Sequence, residues 1–201
     1  MKKLALAAAI GLISASAFAA QGDILARFRV INVAPDVSSD NTLSAINTDV
    51  KSATVPELDF TYMITNNIGA ELILGTSRHE VDSKLGNLGK VSVLPPTLTL
   101  QYHFAPDSAT FRPYVGAGLN YTHFYNVGLA AGGASLDVKS NSFGPALQVG
   151  ADFPIGKNLF INVDVKKIWI KTDVSVASSG ANLGTLHIDP YVFGLGIGTK
   201  F

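Results

Sequence analysis

Residues 191–201 read YVFGLGIGTKF. Tyr191, Phe193, Leu195 and Ile197 alternate with Val192, Gly194, Gly196 and Gly198, and Thr199, Lys200 and Phe201 follow. Successive side chains of a β-strand point to opposite faces, so one face here is bulky and apolar and the other nearly bare. A bulky face closed by Phe201 suits a strand that meets lipid, with the glycines turned into a crowded interior. The rest of the chain tests that reading.

The same period of two recurs in seven further segments, and no long stretch holds a helical period. The first, 24–33, sets Ala26, Phe28 and Val30 against Arg27 and Arg29. The second, 55–64, sets Leu58, Phe60, Tyr62 and Ile64 against Glu57, Asp59 and Thr61, and the third, 68–76, sets Leu72 and Leu74 against Glu71 and Ile73. The fourth covers 93–104 and the fifth 112–125, where Val115, Leu119 and Tyr121 oppose Tyr114, Gly116, Gly118 and Asn120. The sixth, 141–153, places Leu147, Val149 and Phe153 opposite Gln148 and Asp152. The seventh, 159–174, opens with Ile161, Val163 and Val165 opposite Asn162, Asp164 and Lys166, and the eighth is the opening stretch extended back to Thr185.

Short links (TNN, APDSAT, PIGKN) join segments two to three, four to five and six to seven. Longer links at 34–54, 77–92, 126–140 and 175–184 are rich in Ser, Gly, Asn and Asp. Alternating short and long connections predict an eight-stranded antiparallel transmembrane β-barrel with short periplasmic turns and long extracellular loops. The charged faces carry Arg27, Arg29, Glu57, Asp59, Glu71, Asp152, Asp164 and Lys166. With the apolar faces outside, these charges line a lumen only wide enough to be filled by side chains. A soluble lipocalin-like barrel would reverse the two faces.

The N-terminus reads as a secretory signal: Lys2 and Lys3, an apolar core, then Ala17-Phe18-Ala19 as a cleavage site. The expected organisation is a cleaved segment 1–19 and one barrel domain, 20–201. Losing two lysines leaves 13 basic against 15 acidic side chains, which offers no electrostatic footprint for nucleic acid. The chain has no cysteine, which excludes thiol catalysis and Cys-based metal sites. No cofactor is implied by any motif.

The stretches FTYMITNNIGAEL (60–72), LPPTLTLQYHF (94–104), FRPYVGAGLNYTHFY (111–125) and IDPYVFGLGIGTKF (188–201) resemble the OmpW family of Gram-negative outer-membrane proteins. The resemblance implies a narrow, hydrophobic channel for passive uptake of small apolar solutes, with possible lateral release through the barrel wall. It maps a constriction residue onto Ile73. An aromatic on strand seven aligns with Lys166, leaving Trp169 as the nearby candidate for the other half of the constriction. It also implies that the terminal strand, with Tyr191, Phe193 and Phe201, is read by the barrel-assembly machinery, and that lipid and lipopolysaccharide surround the protein.

Proline removes a ladder donor, so Pro56, Pro95 and Pro96 beside predicted strands mark either a lateral gap or the ends of strands at the outer rim. The lumen charges read as neutralising pairs or as an ion path, since buried charges must be partnered. A barrel plugged by such pairs would be a structural or surface-interaction protein. Ser77 and His79 share parity near the outer rim, with Glu80 adjacent, but catalysis on lipid needs a nucleophile, base and orienting group to converge, and no third group is evident. Lys166-Lys167 interrupts the alternation: with parity kept, Lys167 faces lipid at the outer boundary, where it snorkels or meets lipopolysaccharide phosphate, whereas a bulge redirects Trp169.

Overall fold

The computed structural model describes residues 20–201, and the expected signal segment 1–19 lies outside the described residues. Eight strands form the barrel: β1 Ile24–Ala34, β2 Ala53–Met63, β3 Ile68–Gly75, β4 Thr97–His103, β5 Arg112–Ala131, β6 Asn141–Pro154, β7 Leu159–Ile168 and β8 Tyr191–Lys200. Each pairs antiparallel with its chain neighbours. Strand β8 pairs with β1 from Leu25↔Lys200 to Ala34↔Tyr191, which closes the cylinder. Two backbone bonds finish the seam, Ile24 N–H to the Phe201 carbonyl at 3.1 Å and Phe201 N–H to the Ile24 carbonyl at 2.9 Å. Closure leaves the barrel no unpaired edge, which lipid would not tolerate.

The alternation appears as an inverted core. On β2, Leu58, Phe60 and Tyr62 are 45–52% exposed, while Glu57, Asp59 and Thr61 are at most 4% exposed. Phe28, Leu98, Leu119, Leu147, Phe193 and Leu195 continue the outward apolar band. Rings gather at both margins: Tyr102 meets Phe104 and Phe111 meets Phe153 near the short turns, while Tyr121, Phe143, Trp169 and Tyr191 are exposed toward the other end. Such girdles sit where hydrocarbon gives way to headgroups. The short turns are locally fixed; the Thr65 hydroxyl accepts from the N–H groups of Asn67 (3.2 Å) and Ile68 (2.9 Å).

The outer end departs from the sequence reading. Segments expected as loops fold into hairpins that extend the wall: Ser77–Ser83 pairs with Gly86–Leu94, β5 continues to Ala131 and turns back as Ala134–Val138, and Lys171–Val176 pairs with Asn182–His187. The connection 35–52 carries Ser38–Ser39, Asp49–Val50 and a short helix, α1 Asn41–Ala45, whose Leu43 plugs inward. These hairpins turn Val81, Leu88, Leu129 and Leu136 inward and Arg78, Lys90, Asp137 and Lys139 outward. A polar outer face belongs in water, so the hairpins stand above the bilayer as a rim. The polar composition that read as loop is the outer half of that alternation. Conversely, three strands expected to run unbroken lapse at Pro95-Pro96, at Trp169-Ile170 and at 188–190.

Candidate functional site: an ionic plug beneath an apolar vestibule

The inner half of the barrel is filled by charge. The Arg27 guanidinium forks onto Asp152 (Nε–Oδ1 3.2 Å, Nη2–Oδ2 3.0 Å) and also reaches Asp59 at 3.0 Å and the Thr61 hydroxyl at 2.8 Å. Arg29 binds Glu57 at 2.8 Å, Asp59 at 2.7 Å and Glu71 at 3.3 Å, and donates to the Asn162 side-chain oxygen at 3.1 Å. Lys166 bridges Glu57 (2.9 Å) and Asp164 (2.8 Å). Thus Arg27, Arg29, Glu57, Asp59, Glu71, Asp152, Asp164 and Lys166, drawn from β1, β2, β3, β6 and β7, converge in one network in which none is more than 4% exposed. Buried charges that share several hydrogen-bonded partners escape the penalty that an isolated buried ion incurs.

Further polar groups complete it that the sequence placed on the same face but did not single out. The Tyr114 hydroxyl donates to Asp164 at 2.9 Å, Asn162 donates to Asp152 at 2.8 Å, and Gln148 donates to Asp164 at 2.8 Å. Arg112 lies over the Phe160 ring at 5.4 Å with its Nε unpaired. Their shared parity with the charges was the available signal. Below the network, Leu25, Met63 and Phe160 form an apolar stopper at the periplasmic end. The inner glycines of β8 do not keep a passage open. A Cβ at Gly196 would stand 2.7 Å from Arg29 Cγ, and one at Gly198 would strike the Phe160 ring. They are bare because the arginine stems and Phe160 occupy that space.

The outer half is the opposite in character. A narrow apolar vestibule is walled by Ile31, Val55, Val93, Phe124, Ile168 and their neighbours up the rim. Its lining ends at Ile73, Thr97, Glu57 and Lys166, so the plug is its floor. Ile73 is 3% exposed and stands at that boundary, facing inward as expected. Trp169 does not join it. The in-out alternation runs unbroken through Lys166 (inward), Lys167 (outward), Ile168 (inward) and Trp169, which is 37% exposed on the outer face. The expectation that Trp169 lines a constriction is corrected accordingly. Lys167 is held by Asp36 at 2.9 Å and the Asp189 carbonyl at 2.6 Å, over the Tyr191 ring.

The wall around the vestibule is incompletely laddered. Between β3 and β4 the paired register stops at Ile73↔Thr97 and resumes at Ser77↔Val93, so Pro95 and Pro96 sit where it lapses. On the facing side, Asn120 Nδ2 donates to the Pro95 carbonyl at 3.1 Å, and Tyr121 N–H to that of Pro96 at 3.0 Å. Between β2 and β3 the register stops at Glu57↔Gly75 and resumes, shifted, at Val50↔Val81, leaving 51–56 opposite 76–80. Pro56 lies in that second lapse. The segment around Thr76 is therefore flanked by irregular wall on both sides.

Ser77 and His79 face the vestibule from this segment. Ser77 Oγ is 2.8 Å from His79 Nε2, and His79 Nδ1 is 2.8 Å from the Lys51 carbonyl oxygen. Glu80, the expected neighbour, is instead turned to the outer side with Asn87 and Lys90. Burial pushes the His79 imidazole below its ordinary pKa of 6.5, keeping it neutral, with the Lys51 carbonyl bond opposing that shift.

Comparison with known proteins places this architecture. The chain matches the OmpW family over residues 20–201. The chain belongs to the OmpW family. It is 38% identical to Outer membrane protein W of Escherichia coli over the full length of both chains. An uncharacterized outer-membrane protein, y4mB, of Sinorhizobium fredii is 43% identical over 83% of this chain and 74% of its own. The crystal structure of the outer membrane protein OprG from Pseudomonas aeruginosa superposes with a TM-score of 0.83 at 31% identity, covering 93% of this chain and 99% of that one. This OmpW-family barrel is thus a bacterial outer-membrane protein, with its short turns periplasmic and its rim outside.

Proposed function

We propose that this barrel is a passive outer-membrane conduit for small hydrophobic molecules that releases them sideways through the wall. The observation that carries the reading is an apolar vestibule in the outer half of the barrel that ends blind on a salt-bridged floor. An apolar solute gains by leaving water for such a cavity, but crossing the plug would require it to separate buried ion pairs. The flanking lapses at Pro56 and at Pro95-Pro96 offer the remaining direction, into lipid. No catalytic residue, metal or cofactor enters this reading. Its surroundings are outer-membrane lipid and lipopolysaccharide, and the aromatic closing strand ending in Phe201 serves recognition by the assembly machinery.

The plug itself favours a second reading, a sealed structural or surface-interaction barrel whose rim binds partners. Uptake separates the two. Vesicles carrying the barrel take up a fluorescent apolar solute faster than empty vesicles, and Ile73→Trp at the vestibule floor slows that uptake, while ion conductance stays at the empty-bilayer level. Equal uptake with and without the barrel refutes the conduit.

A further inference from the structure

The hydrogen-bonding state of the vestibule wall points to its substrate class, an inference that rests on the conduit reading. A carbonyl oxygen can only accept, so the Lys51 carbonyl at 2.8 Å fixes the proton of neutral His79 on Nδ1. His79 Nε2 is then an acceptor, and the Ser77 hydroxyl hydrogen is committed to it at 2.8 Å. What Ser77 Oγ retains toward the cavity is lone pairs. The other hydroxyls of the lining are committed in the same sense. Thr48 donates to the Leu43 carbonyl at 3.0 Å, Thr76 to that of Val93 at 3.1 Å, Thr97 to that of Pro95 at 3.0 Å and Thr172 to that of Lys139 at 2.9 Å. Lys166, at the floor, gives two of its three N–H groups to Glu57 and Asp164.

The hydroxyl groups of an otherwise apolar wall therefore offer acceptance and no donation. We infer that the vestibule selects apolar molecules bearing one hydroxyl, an alcohol or a phenol, whose O–H donates to Ser77 Oγ while the hydrocarbon body lies against Val55, Val81 and Val93. An ether or ketone of the same shape finds no hydroxyl hydrogen in the wall.

The test compares three probes of one skeleton, 4-butylphenol, 4-butylanisole and butylbenzene. It measures their retention by nanodiscs carrying the full barrel, in excess of empty nanodiscs. The expected result is a preference for the phenol over the anisole of roughly five-fold, the size that one net hydrogen bond delivers. With Ser77→Val and His79→Phe combined, the ratio falls toward one. With His79→Phe alone the freed Ser77 hydroxyl can donate, and anisole retention rises. Folding of each variant is verified by its gel shift on heating. A ratio near one in the unaltered barrel, with butylbenzene still retained, overturns the hydroxyl preference and leaves the conduit standing. So does a ratio that the double variant keeps. Retention of none of the three overturns both.

Discussion

Arg29→Met tests the plug most directly. The change keeps an unbranched apolar stem and removes the guanidinium, which is fully buried and binds Glu57, Asp59 and Glu71 at 2.7–3.3 Å. Four buried cations, Arg27, Arg29, Lys166 and the neighbouring Arg112, face five carboxylates, so the variant leaves three cations against five. Removing one partner of a buried pair costs about 3–5 kcal/mol, because the orphaned charges stay buried. With a urea dependence of about 2 kcal/mol per molar, the unfolding midpoint falls by roughly 1.5–2.5 M. The assay is reversible urea unfolding in thin-bilayer vesicles, followed by the fluorescence of Trp169, the chain's single tryptophan. Adding Asp59→Asn neutralises one orphan and recovers part of the loss, a coupling of roughly 0.5–3 kcal/mol. A loss below about 1 kcal/mol, or strict additivity of the two changes, sinks the claim that the network bears on stability.

Trp169 on the outer face predicts quenching of the protein's tryptophan emission by brominated lipids; emission unaffected by them would put the ring back inside. Gly196→Val drives a side chain against the Phe28 carbonyl and the Arg29 stem, so the β1–β8 seam fails to close and the folded gel band disappears. His79 binds fewer protons in the native rim than in the unfolded chain, since its folded pKa is depressed. Stability of the rim therefore falls as pH drops below the unfolded value of 6.5 toward the lower folded pKa. Amide protection at Ser77–Ser83, taken relative to the intrinsic exchange rate at each pH, should fall across that window, and His79→Gln should remove that fall; unchanged protection in the parent counts against the Ser77–His79–Lys51 contact.

Much of this was legible because the bilayer inverts the usual core, so each charged residue at an alternate position announces the lumen. Arg27, Glu57, Asp164 and Lys166 all fall where their parity places them. The extent of the strands was not legible, because above the membrane the outer face turns polar and the alternation of Val81, Val91 and Leu136 is diluted by Ser, Lys and Asp. From sequence, Trp169 stands for the constriction only as the aromatic nearest Lys166, and the doublet Lys166-Lys167 leaves open whether the phase is kept up to it. The phase holds, and Lys167 is outward because Asp36 and the Tyr191 ring neutralise and shield it. The third partner of Ser77 and His79 was invisible for another reason. It is a backbone carbonyl contributed by Lys51, 28 residues from His79, which no pattern of side chains reveals.

The distribution of the plug over many strands has a consequence for pairing. A slip of one residue turns every side chain to the wrong face, and the alternating pattern alone forbids it. A slip of two restores every lipid-facing residue to lipid, and apolar patterning cannot detect it. Such a slip between β1 and β2 would carry Arg27 away from Asp59 and Arg29 away from Glu57, which now stand directly opposite each other. The same shift between β1 and β8 would move the bare Gly196 off Arg29. The charges at the centre thus act as a lock with one key position, and they give the barrel a unique stagger that greasy alternation by itself leaves degenerate.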